Sequence, residues 1–87
     1  MYFYVYMLLC INKNHNISYI GYSSNPAKRL NQHNNSKGAK FTRGRKWKII
    51  YKKRFNDKIS ALKYEYKLKK DYKLRKKIKE NNNENFS

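Results

Sequence analysis

The sequence predicts an α+β domain, a three-stranded antiparallel sheet flanked by helices, and three observations carry that prediction. Tyr2 to Ile11 is almost continuously apolar, as a strand covered on both faces reads. Ile17 to Ser23 follows after a short polar turn and reads as the second arm of a hairpin. The spacing then becomes helical, returns to a strand at Trp47–Phe55 and turns helical again, which gives the order β-β-α-β-α-α. With 87 residues the chain is expected to form one domain over 1–80, followed by a polar, frayed tail over 81–87.

In the first strand, alternation places Tyr2, Tyr4 and Tyr6 on one face and Phe3, Val5, Met7 and Leu9 on the other. Three tyrosines on one face exceed what packing needs, because each buried hydroxyl must find a partner. Gly21 interrupts the second strand, so a bulge or a close approach to its backbone is expected there. Asn25 suits an N-cap and Pro26 the first helical position. Ala27, Leu30 and Asn34 mark the inner side of that helix, while Arg29 and His33, four apart, share a face. Residues 35–46, "NSKGAKFTRGRK", read as a basic loop with two glycines and at most one helical turn. In the third strand Trp47, Ile49, Tyr51 and Phe55 are expected on a common face. Asn56 or Asp57 caps a helix to about Lys70 whose apolar side is Ile59, Ala61, Leu62 and Leu68. A second, highly charged helical stretch runs from Tyr72 to Lys79.

The chain carries 22 basic and five acidic residues, a net charge of +17. Such an excess repels itself unless a polyanion or counterions screen it, and nucleic acid is the expected polyanion. An anionic membrane surface is a weaker rival, because the separated apolar and basic faces of an interfacial helix are lacking outside the C-terminal stretch. No apolar run reaches the length of a membrane span, and "MYFYVYMLLC" lacks the basic start and small-residue cleavage site of a signal peptide. The single cysteine, Cys10, makes no internal disulfide and builds no zinc site alone, which suits a reducing, intracellular compartment.

Against that background "LKYEYKLKK" is informative, since one of the scarce acids, Glu65, sits among lysines at the middle or margin of the helix's inner stripe. Two roles fit the position. One is an ordinary surface pair with Lys69; the other is a carboxylate held at the sheet to bind a cation. Arg29 and His33 would by default form a solvated helix face, Tyr6 and Tyr19 would be core aromatics, and His15 lies in a solvated turn. Taken together, an arginine, a histidine, two strand tyrosines and one carboxylate suit phosphodiester hydrolysis. A metal on the carboxylate polarises the phosphate, arginine offsets charge in the transition state, and a tyrosine or histidine deprotonates water.

"YVY" in the first strand and "YIG" in the second resemble the two motifs of the GIY-YIG nuclease superfamily. "NPAKRLNQHN", "GAKFTRGRKW" and "ALKYEYKLKK" follow in the order and spacing of that family, so the resemblance spans Tyr2 to about Lys79. It is similar to the short bacterial stand-alone members and to the nuclease domain of the eukaryotic structure-specific endonuclease that cuts branched DNA. The zinc-binding RING-like domain of that endonuclease is not expected here, given one cysteine.

The resemblance implies DNA cleavage, on branched, flap or damaged DNA among other forms, with one divalent ion, Mg²⁺ or Mn²⁺. It places Tyr6 and Tyr19 as the motif tyrosines, Arg29 as the arginine of the first helix, His33 as a histidine found in some branches, and Glu65 as the metal ligand. Tyr6, assisted by His33, is favoured as the base, with Tyr19 at the scissile phosphate or its water. The first motif is degenerate, since Tyr4 stands where the family has glycine. Lys28, Lys37, Lys40, Arg43, Arg45 and Lys46 are the expected grip on the DNA backbone. The rival from another class is a catalytically inactive nucleic-acid-binding module.

Overall fold

The computed structural model describes residues 1–84. Its elements run β1 (Phe3–Cys10), β2 (Ser18–Ser23), α1 (Pro26–Asn34), a 3₁₀ turn (Lys40–Thr42), β3 (Trp47–Phe55), α2 (Lys58–Lys70) and α3 (Tyr72–Glu84). The strands form one antiparallel sheet in the order β2-β1-β3.

As the central strand, β1 is covered on both faces, which explains its unbroken apolar sequence: Val5, Met7, Leu8 and Cys10 are fully buried. On one face Val5 and Met7 join Ile20, Ala61, Leu68 and Ile78, so α2 and α3 close that side. On the other face Tyr6, Leu8 and Cys10 join Trp47, Tyr19 and Leu30, so α1 closes it. Tyr6 therefore lies on the α1 side of the sheet, together with Tyr19 and His33.

The helices begin as their sequences require. The Asn25 side chain accepts from the backbone N–H of Lys28 at 3.2 Å and Pro26 opens α1. Asp57 is the cap of α2, accepting from the Ser60 N–H at 2.8 Å. The far end of α1 is tied to β3 by the Asn34 amide, which accepts from the Trp47 N–H at 2.7 Å and donates to the Trp47 carbonyl at 3.1 Å.

Four expectations from the sequence are corrected. Trp47 and Ile49 pack on the α1 side, but Tyr51 and Phe55 pack on the other, because the β1–β3 register slips between Met7 and Leu8. Met7 faces Tyr51 while Leu8 faces Ile49, so Ile50 is an extra residue, a β-bulge that flips the face on which the strand's later side chains stand. On α2, Ile59 and Leu62 are exposed; the buried stripe is Ala61 and Leu68 flanked by Tyr64 and Glu65, which is the true i, i+3/i+4, i+7 set. On α1, Ala27 is exposed and Pro26 and His33 form the buried side. Finally, α3 continues to Glu84, into the stretch expected to fray, and residues 85–87 of that tail lie outside the described residues.

Candidate active site

Tyr6 points from the central strand toward α1, and its ring is buried. Its cross-strand partner in β2 is Gly21, and a Cβ there would lie 2.3 Å from the Tyr6 hydroxyl. The glycine is thus the close approach that its place in the strand predicts, and no bulge occurs in this pairing. The Tyr6 hydroxyl meets His33 Nε2 at 2.9 Å. On the other side of the imidazole, Nδ1 lies 2.9 Å from the Thr42 hydroxyl.

The direction of these bonds follows from Thr42. Its only hydroxyl hydrogen is donated to the Ala39 carbonyl at 2.7 Å, so toward His33 it can only accept. Nδ1 must then carry the ring proton, which leaves Nε2 as an acceptor for the Tyr6 hydroxyl. The result is a chain of oriented donors, Tyr6 to His33 to Thr42 to Ala39. His33 and Thr42 are both fully buried, and every buried side-chain polar atom among the described residues has a partner. The default reading of His33 as a solvated helix residue is therefore corrected.

Burial pushes the Tyr6 phenol above its usual 10.0, while the nearby Arg29 guanidinium pulls it back and the charges of Tyr19 and Glu65 add to the rise. Burial also holds His33 below its usual 6.5, helped by repulsion from Arg29. Both groups are thus neutral near pH 7, one a proton donor and the other its acceptor. Arg29 itself is half-buried and donates to the Gln32 side chain at 2.6 Å. The ring of Tyr19 stands 5.1 Å from the imidazole. Glu65, on α2, keeps 18% of its side chain exposed and pairs with Lys69 at 3.6 Å. Its charge adds to the rise at Tyr6 as the smallest of the influences there, from a helix that closes the other face of the sheet.

Two participants were not singled out by sequence reasoning. Thr42 fixes the tautomer of His33, and Gly38 leaves room for it, since a Cβ at 38 would lie 2.3 Å from Nδ1. Neither carries a signal in the sequence, because the loop that holds them has no period. Replacing Gly38 by alanine should overpack a ring held at both nitrogens, costing about 1–3 kcal/mol. For a domain of this size that is a fall in Tm of several degrees, roughly 4–8 °C per kcal/mol. An unchanged Tm would show that the imidazole is free to move.

A sequence profile described as the GIY-YIG catalytic domain matches residues 2–81. The chain belongs to the GIY-YIG family. Relatives of this GIY-YIG chain include a UPF0213 protein of Oceanobacillus iheyensis, 42% identical over 67 residues that cover 76% of this chain and 74% of the relative. A UPF0213 protein of Staphylococcus saprophyticus is 38% identical over 77 residues, 87% of this chain and 89% of that one. Among solved structures, the solution NMR structure of a UPF0213 protein from Bacillus halodurans matches with a TM-score of 0.50 and 33% identity, covering 88% of this chain and 80% of that one. The α+β fold with the order β-β-α-β-α-α is thus the GIY-YIG fold, and a nuclease-type function follows from the family.

The cations expected to grip DNA divide into two kinds in this GIY-YIG domain. Lys28, Lys37, Lys40 and Arg43 have exposed side chains. Arg45 and Lys46 are partly engaged by the protein: Arg45 donates to the Phe41 carbonyl at 2.7 Å and Lys46 to the Asn34 carbonyl at 2.8 Å. No helix among the described residues is long and apolar enough to cross a membrane.

Proposed function

We propose that the chain is a metal-dependent DNA endonuclease that hydrolyses one phosphodiester at a time, with branched, flap and damaged DNA as its candidate substrates. The observation that carries this reading is the buried hydrogen bond from the Tyr6 hydroxyl to His33 Nε2. A phenol held above its ordinary pKa does not ionise alone, and His33 is the neutral acceptor that lets it serve as a base. In this reading Tyr6 takes a proton from the attacking water as its own passes to Nε2. The imidazolium so formed keeps its Nδ1–H on Thr42. Arg29 stands by the phosphate, where its charge offsets that building on the transferring group, and Tyr19 orients the phosphate or its water.

Glu65 would hold the divalent ion, Mg²⁺ or Mn²⁺. Among the described residues no group of three or more His, Cys, Asp or Glu side chains could form a cage. A single hard carboxylate still fits, because Mg²⁺ commonly binds one or two carboxylates and completes its shell with water and substrate phosphate. When bound, the ion supplies Lewis-acid polarisation of the phosphoryl oxygens.

A second reading, an inactive nucleic-acid-binding module, draws on the Lys69–Glu65 pair, which already neutralises the carboxylate. Labelled linear, flap and branched DNAs incubated with the pure protein, with and without Mg²⁺ or Mn²⁺, separate the two. Metal-dependent nicking is expected; binding without cleavage of any of them would favour the inactive module.

Two further outcomes are expected. Because the rate requires neutral His33, it should hold steady at neutral pH and fall only as pH drops below 6.5 through the lowered value. Replacing Arg29 by glutamine removes one of the two effects that lower His33, so the acid limb should move to higher pH while the rate falls. A limb that stays in place would separate Arg29 from the histidine. Separately, changing Lys37, Lys40 and Arg43 together to alanine should shallow the slope of log affinity against log salt by about two to three units, at about 0.9 per phosphate contact. Single-turnover cleavage at saturating DNA and low salt should largely survive. An unchanged slope would remove these residues from the binding surface.

A further inference from the structure

Phe41 is half exposed, at 50%, in the middle of the 3₁₀ turn Lys40–Thr42. The next residue, Thr42, is fully buried against His33, and its carbonyl accepts from the Trp47 indole N–H at 3.0 Å. The Phe41 carbonyl accepts from Arg45, whose guanidinium lies 5.2 Å from the centre of the Phe41 ring. The ring also stacks on Tyr19, 6.2 Å between centres and inclined by 21°, and lies 6.3 Å from the Trp47 ring, inclined by 37°. A single exposed aromatic is ordinary on a protein surface. This one is held in orientation by Arg45, Tyr19 and Trp47, so its exposed half is presented in a fixed attitude beside a tyrosine that contacts the buried histidine.

Tyr19 and Phe41 also wall a shallow hollow of about 280 Å³, completed by Ser18, Ile20, Lys69 and Arg75. Two aromatic faces and two cations make it a chemically mixed cleft. The rings offer a surface for a planar, sequence-independent partner, and the cations suit a backbone phosphate beside it. Lys69 is also the partner of Glu65, and Arg75 caps the end of α2 by donating to the carbonyls of Leu68 and Lys69. One lining cation, Lys69, thus pairs with the carboxylate assigned to the metal, and the other, Arg75, is tied to the end of α2.

We infer that Phe41, backed by Tyr19 and Arg45, is a stacking platform for an unpaired nucleobase, and that the hollow beside it receives the attached phosphate. Resting on the nuclease reading for what lies next to it, this makes the substrate DNA with an unpaired nucleotide at the cut, as at a flap or fork. A base inside an intact duplex is stacked on both faces and has none to offer the ring, so away from its ends a duplex is bound by charge alone.

The test is binding without metal, in EDTA, so that it is independent of cleavage. The probes are a labelled oligothymidine, an oligonucleotide of equal length and charge made of abasic nucleotides, and a blunt duplex. The wild-type protein should prefer thymidines to abasic sites. Phe41→Ala and Phe41→Leu should weaken thymidine binding by roughly five- to a hundredfold, the span of one base–aromatic stack. Abasic and duplex affinities should stay put, and Phe41→Trp should restore the preference. An unchanged thymidine-to-abasic ratio in Phe41→Ala, or an equal loss on all three probes, would overturn the platform. If the wild type shows the ratio and Phe41→Ala loses it, the platform stands even where no DNA is cut, and then only the nuclease reading fails.

Discussion

Replacing Glu65 by glutamine is expected to abolish cleavage while leaving DNA binding intact or slightly tighter. The two side chains have nearly the same shape, so the half-buried site on α2 can accept the amide without repacking. What disappears is the charge that would hold the divalent ion. Losing it should remove several kcal/mol of transition-state stabilisation, about a thousandfold or more in rate. The fold should barely notice, since the pair with Lys69 is partly exposed and such pairs contribute about 0–1 kcal/mol. In a chain of net charge +17, deleting one negative charge near the DNA cannot weaken the general attraction. Parallel single-turnover and binding measurements check this, and sustained turnover by Glu65→Gln would remove the metal from this residue.

The second large effect is expected from Tyr6→Phe. Only a hydroxyl is deleted, the ring still fills its place over Gly21, and the protein should fold. His33 Nε2 loses its donor, a buried unsatisfied acceptor that costs about 1–3 kcal/mol and lowers Tm accordingly. Catalysis should suffer far more, by about 10²–10⁴-fold, the usual contribution of a positioned base. Wild-type rates in Tyr6→Phe, together with a collapse in Tyr19→Phe, would transfer the role to Tyr19.

Much of the fold was legible because its signals are local. The unbroken apolar run of β1 announces a strand covered on both faces, and Asn25 with Pro26 announces the start of α1. Glu65 was legible as an oddity of charge at the edge of a helical stripe. The misplaced features are those where periodicity fails. Ile50 adds a residue to β3, so alternation counted from Trp47 assigns Tyr51 and Phe55 to the wrong side. On α2, Ile59 and Leu62 were counted inward for being apolar, although only Ala61, Tyr64, Glu65 and Leu68 have the spacing of one face. Thr42 and Gly38 sit in a loop without any period. Their value appears only when the chain folds back and sets them against an imidazole several residues away. The partnership of Tyr6 and His33 spans 27 residues and needs the sheet and α1 to face each other, so spacing alone could not orient its proton.

That proton is the most direct point at which to challenge the account. The ¹⁵N chemical shifts of the His33 ring, followed by NMR through a pH titration of the metal-free protein, report both tautomer and charge. The account predicts a neutral ring protonated at Nδ1 near pH 7, remaining neutral until the pH is below 6.5. In Tyr6→Phe the Nε2 resonance should shift as its hydrogen bond is lost. A ring protonated at Nε2, or one already charged at neutral pH, could not accept the Tyr6 proton and would contradict the proposed base.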